Sequence, residues 1–171
     1  MLLDSINGYK VPSKTDINHH LAEISAELKK IPGISNVSHT VDFDKFVATL
    51  RFSFSDVEDL NTIANKLFAE MKITPSDQSS YAYHKTTHTF NRTYVYEPKA
   101  KAEFDKLKDA DKEIFNAATY TSIYRFDRPV ISQSNVSAKL AASKKAVMIQ
   151  SPILDLISGK SNVTNEIKLA N

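Results

Sequence analysis

The chain has 171 residues, with 22 basic and 20 acidic side chains, no cysteine, no tryptophan and only three glycines. That composition excludes a Gly-rich phosphate loop, a dinucleotide fingerprint, a Cys nucleophile, a Cys zinc site and a disulfide framework. A net charge of +2 is no nucleic-acid signature. A chain of this length buries enough surface to fold without a metal or disulfides, and no apolar run is long enough to cross a membrane.

The first residues, Met1-Leu2-Leu3-Asp4-Ser5, carry neither a basic n-region nor an apolar h-region, so no signal peptide is read there. Two expectations follow. The chain is either cytoplasmic, or an extracytoplasmic mature portion whose leader has been removed.

Residues 5–11 read as a short strand in which Tyr9 and Val11 alternate about Lys10, with Asn7-Gly8 as a turn. Residues 12–16 turn the chain, and Thr15 or Asp16 can cap a helix. Ile17, Leu21, Ile24, Leu28 and Ile31 then form one apolar stripe on a helix over 17–31, stopped by Pro32-Gly33. Ile34 to Val41 reads as a strand and Asp42 to Lys45 as a hairpin turn. Phe46, Ala48, Leu50, Phe52 and Phe54 alternate with Val47, Thr49, Arg51 and Ser53, the cleanest period of two in the chain.

Ser55 or Asp56 is placed to cap a second helix with Val57, Leu60, Ile63, Ala64, Leu67 and Met71 on its buried face. Lys72 ends it, and residues 74–77 form a loop. Tyr81 to His84 adds a further strand. The order β-α-β-β-α-β predicts a ferredoxin-like first half. That arrangement is a common superfold and carries almost no functional information.

In the second half Phe90, Arg92, Tyr94 and Tyr96 share one face of a strand over 89–96. Pro98 opens a Lys/Ala/Glu-rich helix to about residue 118, with a break near Asp109 because Asp111 interrupts its apolar stripe. Short strands are expected over 120–126, 129–132, 138–140, 146–150 and 163–169, with a single helical turn over 153–157. Gly159 falls in the turn before the last strand.

Several constellations are read as structural. Adjacent His19 and His20 point about 100° apart on a helix and cannot chelate together. His84 and His88 approach only if residues 85–87 form a turn; from the five histidines, which include His39, no metal site is predicted, and no cofactor is predicted. Asp105, Asp109, Asp111 and Glu113 lack the glycine and glutamate of a calcium loop, and interleaved lysines make them a solvated helix face. Asp155, within Ile153-Leu154-Asp155-Leu156-Ile157, reads as the exposed side of an amphipathic turn. Residues 45–52 lack the RNA-recognition signature, so no nucleic-acid partner is predicted. Sequons at Asn36, Asn91, Asn135 and Asn162 carry no information without a leader.

The aromatic group says more. Tyr81, Tyr83, Phe90, Tyr94 and Tyr96 surround Lys85 and Arg92, and Tyr120, Tyr124 and Phe126 lie beside Arg125 and Arg128. Tyrosine and arginine on a sheet face can bind a sugar ring, a lipid head group or a protein. The competing reading is plain packing, since tyrosine is a favoured strand residue. The ligand-binding candidates are Tyr81, Tyr83, Arg92, Tyr94, Tyr96, Tyr124 and Arg125.

The helix ending in Ile31-Pro32-Gly33, the strand over 46–54 and Asp56-Val57-Glu58-Asp59-Leu60-Asn61 resemble the first half of LppM-like bacterial envelope lipoproteins. Arg128-Pro129-Val130, Ser134-Asn135 and Ala146-Val147-Met148-Ile149 are similar to their closing strands. The resemblance implies an extracytoplasmic, lipid-tethered domain that binds envelope lipids or glycolipids, with no catalytic residues to carry over. This chain has no lipobox cysteine and no C-terminal membrane helix.

The expected architecture is α+β: a ferredoxin-like half over 1–86 packed with a helix plus antiparallel β half over 87–171, in one continuous compact unit. The expected function is a non-enzymatic envelope domain whose partners are a lipid, a glycan or an envelope protein. The alternatives are a cytoplasmic hydrolase or transferase with a site invisible in sequence, and a structural module of a larger assembly.

Overall fold

The computed structural model describes residues 5–6, 9–10, 13–70 and 79–171, with side chains from residue 13 onward except at 64 and 67–70. The chain divides into two units, Met1–Pro75 and Ser76–Asn171. The expected Asn7-Gly8 turn, the roles of Val11, Met71 and Lys72, and the 74–77 loop lie outside the described residues, as do the side chains of Ala64 and Leu67.

In the first unit β1 (Ser5–Ile6) pairs antiparallel with β2 (Tyr9–Lys10). Helix α1 (Lys14–Leu28) starts at a capping box. Ser13 Oγ accepts from the Asp16 amide at 3.1 Å, and Asp16 Oδ2 accepts from the Ser13 amide at 2.9 Å. The cap is therefore Ser13, not Thr15 or Asp16. A serine three residues ahead of a carboxylate satisfies two orphan amides at once.

The expected strand pair forms β3 (Ile34–Asp42) and β4 (Val47–Phe54), antiparallel. The register shifts between Ser35 and Ser38, where Asn36 takes φ 53°. This bulge moves the inward set from Ile34 to Val37, His39 and Val41. The core is Leu28, Ile31, Ile34 and Ile63, with Ile24, Val37, Leu50, Phe52 and Leu60 packed on it. His39 Nδ1 lies 2.8 Å from the hydroxyl of the buried Ser25, tying α1 to β3.

Phe46 does not join that face. It closes the turn over 43–46 at φ 54° and is 93% exposed. Asp42 Oδ1 accepts from the amides of Asp44 (3.1 Å) and Lys45 (3.0 Å), and this side-chain turn holds the chain one residue longer than the alternation predicts. Helix α2 (Asp59–Glu70) begins later than a cap at Ser55 or Asp56 would place it. A tight turn precedes it, with Asp59, Leu60 and Asn61 amides bonded three residues back.

The second unit holds two antiparallel sheets. One has the order β5 (Ser80–His84), β6 (Thr89–Thr93), β11 (Asn165–Leu169), β8 (Val130–Gln133). The other runs β7 (Thr119–Arg125), β10 (Ala146–Pro152), β9 (Lys139–Leu140). The strand expected to complete the ferredoxin-like half, Tyr81 to His84, pairs with β6 instead, from Ser80↔Thr93 to His84↔Thr89. No ferredoxin-like four-stranded sheet forms among the described residues. The turn over 85–88 makes that pairing local, and a short loop costs little closure entropy. In sequence, the division between the two units falls at Pro75–Ser76, ahead of β5.

The long helix breaks as anticipated. Glu97 caps α3 (Pro98–Asp105), and α4 (Asp109–Lys112) and a 3₁₀ turn (Glu113–Phe115) follow. Phe104 and Phe115 meet edge to face at 5.4 Å across the break. Lysines pair with the acidic cluster on this surface, Lys101 with Asp105 at 2.6 Å and Lys112 with Asp109 at 3.4 Å. Helix α5 (Ile153–Ile157) is the predicted single turn. Its Asp155 is half-buried, and the carbonyl of that residue takes the amides of Lys160 and Ser161. The fold is thus α+β, and no described helix is long and apolar enough to cross a membrane.

Candidate functional site

The alternation along β5, β6 and β11 aims Tyr81, Tyr83, Phe90, Arg92, Asn165 and Ile167 to one side of their sheet. The cross-strand partners are Tyr81↔Arg92, Tyr83↔Phe90, Arg92↔Asn165 and Phe90↔Ile167. Phe90 meets rings of the other sheet, Tyr124 at 4.9 Å and Phe126 at 5.6 Å. These residues therefore form a layer between the two sheets, with Ile167 and Val147 wholly buried in it.

Arg92 sits in this layer. Its guanidinium carbon lies 4.4 Å from the centre of the Tyr81 ring, and Nη1 donates to the carbonyls of Ser80 and Thr93. Its Nε is buried without a hydrogen-bond partner among the described residues. Burial pushes the Tyr81 hydroxyl above the ordinary tyrosine range, and the positive charge of Arg92 works against that rise. Burial also pushes Tyr124 up to about 12. Both phenols stay neutral at physiological pH.

The remaining predicted site residues scatter. Tyr83 turns its hydroxyl toward His88 Nδ1 at 3.4 Å. Tyr94 leaves the sheet and packs on Ile149, Leu156 and Val163, its hydroxyl 3.5 Å from the Leu156 carbonyl. Burial raises the Tyr94 pKa as well. Tyr96 covers Gly159, where an added Cβ would come within 3.1 Å of the ring at φ 70°. Arg125 follows Tyr124 on β7 and so points to the opposite face, exposed. The structure brings Tyr81, Arg92 and Tyr124 together, as an inter-sheet layer; the seven residues do not share one open surface.

A different feature is open. A groove of about 460 Å³ lies between the loop over 134–137 and the loop over 160–164, floored by Ile149 and Ser151 of β10. The two loops share nearly the same sequence, Ser-Asn-Val-Ser over 134–137 and Ser-Asn-Val-Thr over 161–164. Each asparagine closes its own turn. Asn135 Oδ1 accepts from the Ser137 amide at 2.9 Å, and Asn162 Oδ1 accepts from the Thr164 amide at 2.7 Å. The loops are then clamped together, Asn135 Nδ2 donating to the carbonyls of Asn162 (2.9 Å) and Thr164 (2.8 Å).

Behind them Asn165, 1% exposed, accepts through Oδ1 from the amides of Ser134 and Asn135, both at 3.0 Å. Its Nδ2 is buried and unpaired among the described residues. Thr164 Oγ1 takes the place of a strand neighbour for Tyr94, accepting from its amide and donating to its carbonyl. Sequence reasoning passed over this site, although the repeated Ser-Asn-Val-[Ser/Thr] was the visible signal. A third copy over 35–38 forms the β3 bulge instead.

The groove offers hydroxyl and amide groups, and among the described residues it has one cation, Lys160, and no carboxylate or imidazole lining it. It can hydrogen-bond a polar ligand in a pre-tied frame. The histidines are dispersed: His19 and His20 flank Glu23 on α1, His39 meets Ser25 and His84 is exposed. Among the described residues no group of three or more His, Asp or Glu is placed to hold a metal ion. Comparison with protein-family models, with curated proteins and with solved structures finds no match to this chain.

Proposed function

We infer that the chain is a non-enzymatic, extracytoplasmic binding domain of the cell-envelope lipoprotein type, and that its second unit takes the hydroxyl-rich head group of a glycan or glycolipid. The groove between residues 134–137 and 160–164 carries this reading. Hydroxyl and amide side chains on rigid, mutually bonded loops match a sugar's alternating donors and acceptors at little ordering cost. The Tyr81–Arg92–Tyr124 layer supports the site from within, by fixing the sheets that carry both loops.

The test is titration with neutral oligosaccharides and short-chain glycolipids, followed by amide chemical shifts. Saturable shifts centred on residues 134–137 and 160–164 are expected. Ser161→Phe, which fills the groove from its half-exposed rim, should abolish them at unchanged thermal stability. Binding that survives Ser161→Phe and disappears in Arg92→Gln would move the ligand to the inter-sheet layer. An absence of saturable shifts across the panel would remove the glycan reading.

A further inference from the structure

Strands β8 and β11 carry the groove loops at one end, so their other ends lie on the far side of the second unit. Three loops meet there. The β5–β6 turn over 85–88 touches the loop over 127–129, with Arg128 Nη1 3.2 Å from His88 Nε2. The 127–129 loop joins the turn before β10: the Phe126 amide donates to the Lys145 carbonyl at 2.9 Å, and the Val130 amide to the Lys144 carbonyl at 2.7 Å. The Leu169 amide donates to the His88 carbonyl, and Arg128 Nη1 to the Ala170 carbonyl.

These bonds gather Lys85, Arg125, Arg128, Lys144 and Lys145 at one end, with Asp127 as the carboxylate on the same loops. The whole chain carries a charge of only +2, so this concentration is a property of the fold and not of the composition. Arg125, Arg128, Lys144 and Lys145 make no ion pair among the described residues, although Lys30, Lys101 and Lys106 do pair with neighbouring carboxylates. The frame is also held still. Lys144, at φ 55°, bonds back to the Ala141 carbonyl at 2.9 Å, and the Lys145 amide to Ser143 Oγ at 3.3 Å.

We propose that this loop end docks the second unit on an anionic phospholipid surface, through phosphate groups contacted by Arg125, Arg128, Lys144 and Lys145. The chemistry favours a lipid surface over single-stranded nucleic acid. The exposed cationic side chains here, Lys85, Arg125, Lys144 and Lys145, come from separate segments beside a half-buried Arg128, and among the described residues no exposed aromatic ring at this end offers a base a stacking platform. The proposal is independent of the glycan groove, which lies at the opposite end of β8 and β11.

The test is co-sedimentation of the full chain with phosphatidylcholine vesicles, with and without about one quarter phosphatidylglycerol, at low and physiological salt. Binding is expected only with the anionic lipid and should weaken at least tenfold as salt rises. Lys144→Glu with Lys145→Glu, both exposed and without a side-chain hydrogen bond or ion pair among the described residues, should lower it at least tenfold. Lys99→Glu with Lys108→Glu on the α3–α4 surface has the same net charge and should lower it much less.

The proposal would be overturned by equal binding to neutral vesicles, by equal loss in both double variants, or by retention of a short oligonucleotide or polyglutamate at salt where vesicles are released. Shifts at Arg128 and Lys144 with glycerophosphate alone, without vesicle binding, would reassign the end to a free phosphate and overturn it too. Ser161→Phe should leave vesicle binding unchanged, which separates failure here from failure of the glycan reading.

Discussion

The two units solve the same burial problem with different materials. The first has an aliphatic core, Leu28, Ile31, Ile34 and Ile63, assembled from a helix, the hairpin that follows and one more helix. The second places aromatic rings, a guanidinium and buried amides between two sheets, with Phe90 touching rings of the opposite sheet. Aliphatic packing asks only for volume and exclusion of water. The mixed layer also asks each polar group for a partner, which demands a defined arrangement and leaves Arg92 Nε, Gln133 Oε1 and Asn165 Nδ2 unpaired among the described residues. Specific loop geometry is therefore found where the polar interior is, at the ends of the second unit's sheets.

The largest effect should come from the ring layer. Phe90→Ala removes the contact between the sheets and should cost about 3–5 kcal/mol. Urea unfolding followed by tyrosine fluorescence reads it directly, because every tyrosine except Tyr9 lies in the second unit. A loss below about 1 kcal/mol would show that the rings do not hold the sheets together.

The first unit has its own weak point in a turn. Gly33 adopts φ 84°, and a Cβ there would run into the Asp59 carboxylate at the start of α2. Gly33→Ala should cost about 1–3 kcal/mol, seen as a lowered helical circular-dichroism midpoint. A neutral result would mean that the turn relaxes freely. Smaller still is the cap. Ser13→Ala leaves the Asp16 amide without its acceptor and should cost about 1 kcal/mol by the same measurement.

The smallest effect at neutral pH separates the two units by chemistry. Tyr124→Phe should cost less than about 1.5 kcal/mol at pH 7. The folded Tyr124 holds its proton up to about 12, while the unfolded phenol releases it near 10. The stability that burial of the neutral phenol contributes is complete below pH 10 and declines as pH rises from 10 to about 12. Denaturation at stepped pH should show that decline, and Tyr124→Phe should flatten it. An unchanged slope would remove Tyr124 from the protected layer.

Much of the first unit was legible because its signals are local. A helix stripe, a period of two and a Pro-Gly stop each act within one turn or one strand. The bulge at Asn36 and the exposed Phe46 escaped, since both depend on how Asp42 and Asn36 bend the backbone, and the Ser13 cap and the late start of α2 were missed by a few residues. In the second unit the strands were readable as strands but their partners were not. Tyr81–His84 was assigned to the wrong neighbour, because a short run of alternating residues names its faces and not the edge it will meet. Tyr81, Tyr83 and Arg92 lie together on β5 and β6, yet whether that face was open depended on Tyr124 of β7 and on Phe126 just after it.

The sequence by itself determined the α+β class, the broken helix after Pro98 and the positions of most strands, because propensity, capping and periodicity operate over a few residues. The tertiary structure alone decided which faces are closed. It buried the Tyr81–Arg92 face between sheets, joined two Ser-Asn-Val loops into a groove, and gathered Arg128, Lys144 and Lys145 at one end. Each of these comes from pairings between residues far apart in the chain, whose partners compete on nearly equal local terms. Only the burial of the whole chain selects among them.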